Sequence, residues 1–294
     1  MKTKILKTFL SLCVIFGLAT AAHAQNLYVS VNGDFSNTGG SISEYTPDGT
    51  QTTFASKLAS PRGLAFDSSG NLFLGQTKRN NGEAFHAMVL KFPPQGHQSV
   101  LGNAALAVAE GVATDGAGNV YALVQELRFE AITIYKFAPD GTRTVFGSLP
   151  AVQGFDIAFD STGNLFAADA SNATIWKFTP DGTRTVFVGP EAFAPETSPI
   201  GLAFDSAGNL FVSTEGSPGS DSVLVFTPDG MESTFATGLT QPRGLAFDAS
   251  GNLFVAETRP APLGDIVEFP TGGGEIVFAT GIDRPEFVTF GPPR

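Results

Sequence analysis

The feature that most constrains the fold is an internal repeat with a period close to 45 residues. Three copies share the pattern Gly-Leu-Ala-Phe-Asp-x-x-Gly-Asn-Leu-Phe and begin at Gly63, Gly201 and Gly244. Two weaker copies begin at Gly111 and Asp156, so successive starts lie 48, 45, 45 and 43 residues apart. A constant period of this size indicates a repeat architecture in which each copy is one supersecondary unit.

Each copy predicts four short strands. The Leu-Ala-Phe run is strand A, and Asp-x-x-Gly-Asn turns it into strand B, which is Leu-Phe-Val. Strand C is exemplified by Ile175-Trp-Lys-Phe178, and Thr-Pro-Asp-Gly at 179–182 forms a hairpin into strand D. Pro and Gly occupy the positions that such a turn requires. The chain contains 34 Gly, 19 Pro and 27 Phe, which favours short strands joined by tight turns over long helices.

Two side-chain types recur with the period, and both are expected to be structural. In Asp-x-x-Gly the carboxylate binds nearby backbone amides, so the repeated aspartates are predicted to hold turns and not ligands. The repeated phenylalanines are predicted to pack between units. These aspartates are Asp67, Asp115, Asp160, Asp205 and Asp248.

A sixth copy is split between the two ends of the chain. Pro285-Glu-Phe-Val-Thr-Phe290 matches Pro61-Arg-Gly-Leu-Ala-Phe66, while Asn26-Leu-Tyr-Val29 matches Asn71-Leu-Phe-Leu74. Four strands in each of six copies are the signature of propeller blades. The sequence therefore predicts an all-β, six-bladed β-propeller of four-stranded blades, with a C-terminal strand completing the N-terminal blade.

The unit Pro-x-Gly-Leu-Ala-Phe-Asp-x-x-Gly-Asn-Leu-Phe-Val resembles the NHL repeat. The chain is also similar to the TolB-like group of six-bladed propellers, which holds gluconolactonase/regucalcin-like lactonases and virginiamycin B lyase-like proteins. The resemblance covers residues 26–291. Its motifs encode turns and core packing, so they imply the architecture and leave the activity open.

The first 24 residues differ from the rest. Lys2, Lys4 and Lys7 precede an apolar run from Phe9 to Ala22, and Ala22-His23-Ala24 forms a small-x-small cleavage site. This pattern predicts a secretory signal peptide over 1–24, cleavage after Ala24, and a propeller domain over 25–294. We therefore expect a secreted or periplasmic protein. No later run approaches the length of a membrane span.

The charge balance narrows the choice of partners. The formal charge is 17 − 28 = −11, and no basic run is present. An acidic surface repels phosphate backbones, which argues against nucleic acid as a partner. We expect a monomer. Its partner, an unknown protein, glycan or small molecule, should bind the variable loops, because rigid scaffolds usually carry function there.

The strand order predicts where a ligand would bind. The uniform A–B and C–D turns lie on one face of the propeller, and the variable B–C and D–A loops lie on the other. The residue just before each strand A should line the mouth of the central channel on this variable face. In ring order these residues are Arg62, Glu110, Phe155, Ile200, Arg243 and Glu286.

Charges alternate along part of this ring, from Arg243 through Glu286 and Arg62 to Glu110. Two interpretations stay open: a ladder of salt bridges that stiffens the channel, or a set of side chains that holds a polar or ionic ligand. Asp169 and Glu257, near the ends of their B strands, form a second tier. They either point into the same mouth or satisfy loop backbone amides.

The family resemblance raises an enzyme alternative. Gluconolactonase-like enzymes hold a divalent cation, usually calcium, with a Glu, two Asn and an Asp, and Glu110-Gly111 is similar to the Glu-Gly of one such strand. Oxygen ligands suit that ion, which polarises the lactone carbonyl. Here, however, the next ring positions are two apolar groups and an arginine. Weak metal candidates remain, and they are Glu110, Asp169, Glu257 and Glu286.

Lyase-like relatives rely on histidines, but His86 is predicted in a B–C loop and His97 in a C–D turn. These positions belong to opposite faces, which argues against a shared site. No catalytic residue is assigned. The sequence favours an exported binding or interaction scaffold, and the alternative is a calcium-dependent lactone hydrolase.

Overall fold

The structure is a computed structural model that describes residues 25–32, 38–80, 84–105, 107–127, 131–217, 219–258 and 263–293. The segment predicted as a signal peptide lies outside these residues. The described residues form 24 strands and one turn of 3-10 helix at Pro190–Ala192. Among them, no helix is long and apolar enough to cross a bilayer.

The strands follow one another along the whole described chain. The first twelve are β1 (Leu27–Val31), β2 (Gly40–Tyr45), β3 (Gln51–Leu58), β4 (Pro61–Phe66), β5 (Leu72–Asn80), β6 (Ala84–Phe92), β7 (Ser99–Ala105), β8 (Ala107–Thr114), β9 (Val120–Glu126), β10 (Ala131–Phe137), β11 (Arg143–Leu149) and β12 (Gly154–Phe159). The next twelve are β13 (Leu165–Asp169), β14 (Thr174–Phe178), β15 (Arg184–Val188), β16 (Ser198–Phe204), β17 (Leu210–Glu215), β18 (Ser222–Phe226), β19 (Glu232–Thr237), β20 (Pro242–Phe247), β21 (Leu253–Glu257), β22 (Leu263–Phe269), β23 (Ile276–Asp283) and β24 (Pro285–Phe290).

These strands make six antiparallel, four-stranded sheets, which confirms the predicted propeller. Blade 1 has the order β24-β1-β2-β3, and blades 2 to 6 are β4–β7, β8–β11, β12–β15, β16–β19 and β20–β23. The innermost strands β4, β8, β12, β16, β20 and β24 contact one another in sequence around the ring.

The ring is closed as predicted, by pairing of the last strand with the first. In this pairing Leu27 lies opposite Phe290 and Val29 lies opposite Val288. Backbone hydrogen bonds extend the pairing at both ends, from Gly291 to Asn26 (2.9 Å) and from Asn32 to Arg284 (3.0 Å). Closure removes the two sheet faces that an open array would leave exposed.

The repeated aspartates hold turns, as the sequence predicts. Asp67 Oδ1 accepts hydrogen bonds from the backbone amides of Ser69 and Asn71, both at 2.9 Å, and Oδ2 accepts one from Asn71 Nδ2 at 2.7 Å. The same contacts recur at the other four aspartates. Gly70 adopts φ +79°, the left-handed conformation that this turn requires of its fourth residue.

The repeated aromatic side chains join neighbouring blades, which is also as predicted. Phe166 of blade 4 packs edge-to-face on Phe204 of blade 5 with ring centroids 5.0 Å apart, and Phe211 packs on Phe247 at 4.9 Å. Edge-to-face packing at this distance is a favourable geometry for aromatic pairs. The blades are therefore joined by a repeated contact near the uniform turns.

Every innermost strand carries a one-residue bulge at the same place. In blade 2 the register shifts between Pro61 and Leu64, so that Arg62 and Gly63 together face one step of β5. Equivalent shifts fall at the matching positions of the other five blades. A bulge bends its strand and re-aims a side chain. The six bulges therefore turn six side chains toward one end of the channel.

The residue after each mouth position lies where adjacent innermost strands approach most closely. A Cβ on Gly63 would stand 2.5 Å from the amide nitrogen of Val112 in blade 3, and one on Gly244 would stand 2.5 Å from Phe287 Cα in blade 1. On Gly201 it would overlap the carbonyl oxygen of Arg243. Glycine at these positions allows the blades to meet.

This contact predicts a selective cost for adding a methyl group. Gly201→Ala should lower the free energy of unfolding by about 1–3 kcal/mol, because blade 6 must move to accommodate the Cβ. Gly116→Ala is the matched control, because nothing lies within 4 Å of its added Cβ, and it should change stability by less than about 0.5 kcal/mol. Urea denaturation measures both, and equal effects would contradict the assigned contact.

Blade 4 carries an aspartate where four other blades carry this glycine. Asp156 is buried, and its two oxygens accept hydrogen bonds from the backbone amides of Ile157 (2.8 Å) and Leu202 (2.9 Å), the latter in blade 5. Burial raises the pKa of Asp156 to about 7, although both amide contacts oppose the shift. The carboxyl group therefore ties two innermost strands together at some electrostatic cost when it is ionised.

The raised pKa predicts how stability depends on pH. The folded protein binds the Asp156 proton more tightly than the unfolded chain does. The protonated carboxyl therefore stabilises the fold at low pH, and this stabilisation is lost as pH rises through about 7. Between about pH 5 and pH 8 this group should lower the unfolding free energy by about 2–3 kcal/mol. Asp156→Asn should flatten that slope in urea titrations. An unchanged slope would contradict the assignment.

Candidate functional site

The bulges gather a charged cluster at the channel mouth. Arg62 Nη1 lies 3.4 Å from Glu110 Oε2 and 3.4 Å from Glu286 Oε2. On the other side, Arg243 Nη1 lies 3.4 Å from the same Glu286 oxygen. Glu286 therefore lies between two guanidinium groups, and the alternating charges of four blades form a continuous chain of ion pairs.

Glu215 extends this chain and was not among the residues singled out from the sequence. Its Oε1 lies 3.0 Å from Arg243 Nε, and its Oε2 accepts a hydrogen bond from Arg243 Nη2 at 3.4 Å. Glu215 is the last residue of β17, which is one residue longer than the corresponding strands β13 and β21. The second tier predicted from the sequence used the positions of Asp169 and Glu257, which end β13 and β21, so a side chain one residue further along β17 was missed.

Asn32, just after β1, also belongs to the cluster. It is fully buried, and its Nδ2 donates a hydrogen bond to Glu286 Oε1 at 3.1 Å. Its Oδ1 is buried and has no hydrogen-bond partner among the described residues. A buried amide oxygen of this kind is unusual and points to a donor that lies outside the described residues.

The opposite sector of the mouth is apolar. Phe155 and Ile200 hold the mouth positions of blades 4 and 5, and with Ala170 they form a small buried cluster. The guanidinium of Arg243 lies over the Phe155 ring, 5.7 Å from its centroid. The mouth thus places an aromatic face and an aliphatic side chain beside the ion-pair chain.

Burial governs the electrostatics of the mouth. It raises the pKa of Glu110 to about 7, against the attraction of Arg62 and with a further contribution from Glu286. Burial also raises the pKa of Glu215, although the positive charge of Arg243 acts to lower it. For Arg62, burial alone would lower the pKa, but the carboxylates of Glu110, Glu286 and Glu215 outweigh it and raise the value.

The two second-tier acids bind loops. Asp169 is fully buried and accepts hydrogen bonds from the Asn172 amide at 3.0 Å, Asn172 Nδ2 at 2.9 Å and Trp176 Nε1 at 3.0 Å. Glu257 Oε1 accepts a hydrogen bond from the backbone amide of Thr240 at 2.7 Å. Of the two interpretations that the sequence left open for these acids, their contacts match the one in which they satisfy loop amides.

The donor set at the mouth does not fit a calcium ion. A calcium site requires several oxygen ligands around one point. Here the guanidinium of Arg62 lies between Glu110 and Glu286, and Asp169 and Glu257 are engaged with loops. Across the described part of the chain, no group of three or more His, Cys, Asp or Glu side chains is placed to hold a metal.

The histidines lie at opposite ends of one blade. His86 lies inside β6 near the variable loops, and not in a loop as predicted, while His97 follows β6 in the turn that leads to β7. The prediction that the two histidines occupy opposite faces is confirmed.

Comparison with known proteins gives the fold. No family model matches the chain. No curated protein matches it either. Among solved structures, TolB from Acinetobacter baumannii superposes with a TM-score of 0.71 at 9% identity, covering 91% of this chain and 67% of its own.

Two further solved structures share the same architecture. A catalytically inactive variant of virginiamycin B lyase from Staphylococcus aureus, solved with quinupristin, has a TM-score of 0.60 at 16% identity over 88% of this chain and 86% of its own. A protein provisionally named a gluconolactonase has a TM-score of 0.60 at 17% identity, over 80% and 89%. At these identities the likeness shows the fold alone: this chain is similar to the six-bladed propellers of TolB, the lyase and the gluconolactonase-like proteins.

Proposed function

We propose that this protein is a binding scaffold that receives its ligand at the channel mouth and holds it without a metal ion. The observation that supports the proposal is the mouth itself, where two arginines and three glutamates from five blades lie beside an apolar sector. Buried charges are costly unless they are compensated, so this arrangement argues for recognition of a polar molecule.

The arrangement is less suited to the alternative, a calcium-dependent lactone hydrolase. In such an enzyme the metal needs carboxylates that face it together, and the arginines here stand between them. A divalent ion at the Glu110–Arg62–Glu286 segment would meet a guanidinium at its centre. The acids that could supplement the set, Asp169 and Glu257, already accept hydrogen bonds from loop amides. The charge arrangement therefore favours binding over metal-assisted hydrolysis.

The uniform and variable parts of the repeat support the same conclusion. The Asp-x-x-Gly turns and interblade aromatic pairs recur with nearly the same geometry, so they serve the ring as a whole. The mouth residues differ from blade to blade. A rigid ring with individually different side chains at one end is the usual arrangement for placing recognition on a scaffold.

A calcium titration separates the two functions. Calorimetry on the chelator-stripped protein should show no saturable calcium site that depends on Glu110 and Glu286, and a panel of lactones should not be hydrolysed faster with calcium than without it. The double variant Glu110→Gln/Glu286→Gln should instead change thermal stability, because it alters the ion-pair chain.

The matched control for that titration is Glu232→Gln, which removes an exposed carboxylate at the start of β19. A single tight calcium site that disappears in the double variant and persists in the control, together with calcium-dependent lactone hydrolysis, would contradict the scaffold proposal and establish the hydrolase.

A further inference from the structure

We propose, on the basis of the scaffold function above, that the ligand of the channel mouth is an organic monocation: a primary ammonium group carried on an apolar, preferably aromatic, body. The proposal rests on three features of the mouth: its charge count, its unused hydrogen-bonding capacity and its apolar sector. Each of the three points to the same kind of molecule.

The charge count leaves one carboxylate in excess. The cluster holds two arginines and three glutamates, so with all groups ionised its charge is 2 − 3 = −1. Glu286 lies 3.4 Å from both arginines, whereas each end of the chain, Glu110 and Glu215, has an ion pair with one. One positive charge placed at the Glu110 end would balance the cluster, and a second would exceed it.

The unused hydrogen-bonding capacity is mainly that of acceptors. The buried atoms of the cluster that make no hydrogen bond among the described residues are Asn32 Oδ1, Glu110 Oε2, Glu215 Oε1 and Arg243 Nε. The last two face each other at 3.0 Å and form an ion pair. Glu110 Oε2 likewise has an ion pair, with Arg62 Nη1 at 3.4 Å. The atom left with neither a hydrogen bond nor an ion pair among the described residues is an acceptor, the Oδ1 of the fully buried Asn32. A ligand that donates N–H groups would satisfy it, whereas an anionic ligand would add further acceptors.

The apolar sector defines the body of the ligand. Glu110 and Phe155 occupy the same bulge position on the neighbouring innermost strands β8 and β12, and Ile200 follows on β16. The ring of Phe155 already attracts one cation, the Arg243 guanidinium at 5.7 Å. A ligand whose ammonium reaches Glu110 would lay its apolar part along Phe155 and Ile200, where apolar contact favours that part and the Phe155 ring attracts the ammonium.

Protons compete with such a ligand for the Glu110 carboxylate, so the affinity for the ligand should depend on pH. The groups that act on the Glu110 carboxyl are Arg62, Arg243 and Glu286, and burial raises its pKa to about 7. Below that pH the proton itself removes the excess negative charge. The affinity for the cation should therefore be highest above pH 7 and should fall about tenfold for each further pH unit on the acid side.

The test is calorimetry with 2-phenylethylammonium and its uncharged counterpart 2-phenylethanol. At about pH 8 the ammonium should bind one to one and at least about tenfold more tightly than the alcohol, as expected of a charge-assisted contact. Glu110→Gln, which keeps the shape and removes the charge, should weaken the ammonium about tenfold or more and leave the alcohol unchanged. Glu232→Gln should alter neither. Binding of the ammonium at about pH 6 should be about tenfold weaker.

The outcomes separate this proposal from the function on which it rests. Three outcomes would overturn the proposal of an organic monocation. They are equal affinity for the ammonium and the alcohol, an ammonium affinity that Glu110→Gln does not change, and no saturable binding of the ammonium. If Phe155→Ala then weakens the alcohol, the mouth is still a binding site and only the ligand class is wrong. A calcium site with lactone hydrolysis would overturn both. Circular dichroism and melting curves show whether each variant is folded.

Discussion

The close approach of six innermost strands at the channel is the constraint on which the rest of the structure depends. Each strand arrives with a bulge, and the residue after the mouth position is where neighbouring backbones come closest. Where that residue is glycine, as at Gly63 and Gly244, the neighbouring strand occupies the volume that a side chain would need. The same bulge turns the preceding side chain into the mouth, so ring packing and site geometry are set by one feature.

The mouth concentrates charge that the rest of the ring does not require. The turns and interblade aromatic contacts stabilise the propeller without any ion pair. Two of the five charged side chains, Glu110 and Glu286, are buried and the other three are partly buried. This is costly, since desolvation can exceed the attraction within the pairs. The cost is reduced because two guanidinium groups form ion pairs with three carboxylates. Glu110, at one end of this chain, has its pKa raised to about 7. A site that titrates near neutrality and faces an apolar sector is suited to reversible recognition of a charged molecule.

The architecture could be predicted from the sequence because its determinants are local and repeated. Asp-x-x-Gly fixes a turn through contacts within five residues, and the split sixth copy shows how the ring closes. The grouping of Arg62, Glu110, Arg243 and Glu286 was predictable for the same reason, since the bulge falls at one point of every copy. Glu215 was missed because it depends on β17 being one residue longer than β13 and β21. Asn32 was missed because its role depends on a contact with a residue 254 positions away. For Asp169 and Glu257 the sequence could not decide between channel and loop, because that choice depends on which backbone amides the folded loops leave without partners.

The most direct test of the account is a carbon-13 NMR titration of the Glu110 side-chain carboxyl in the native protein and in Arg62→Met. In the structure this group is buried at the end of an ion-pair chain that begins in other blades, so its pKa should lie near 7 and should rise further when Arg62 is removed. A pKa near the ordinary 4.5 that does not respond to the substitution would show that the bulges do not bring these residues together, and the proposed mouth would be wrong.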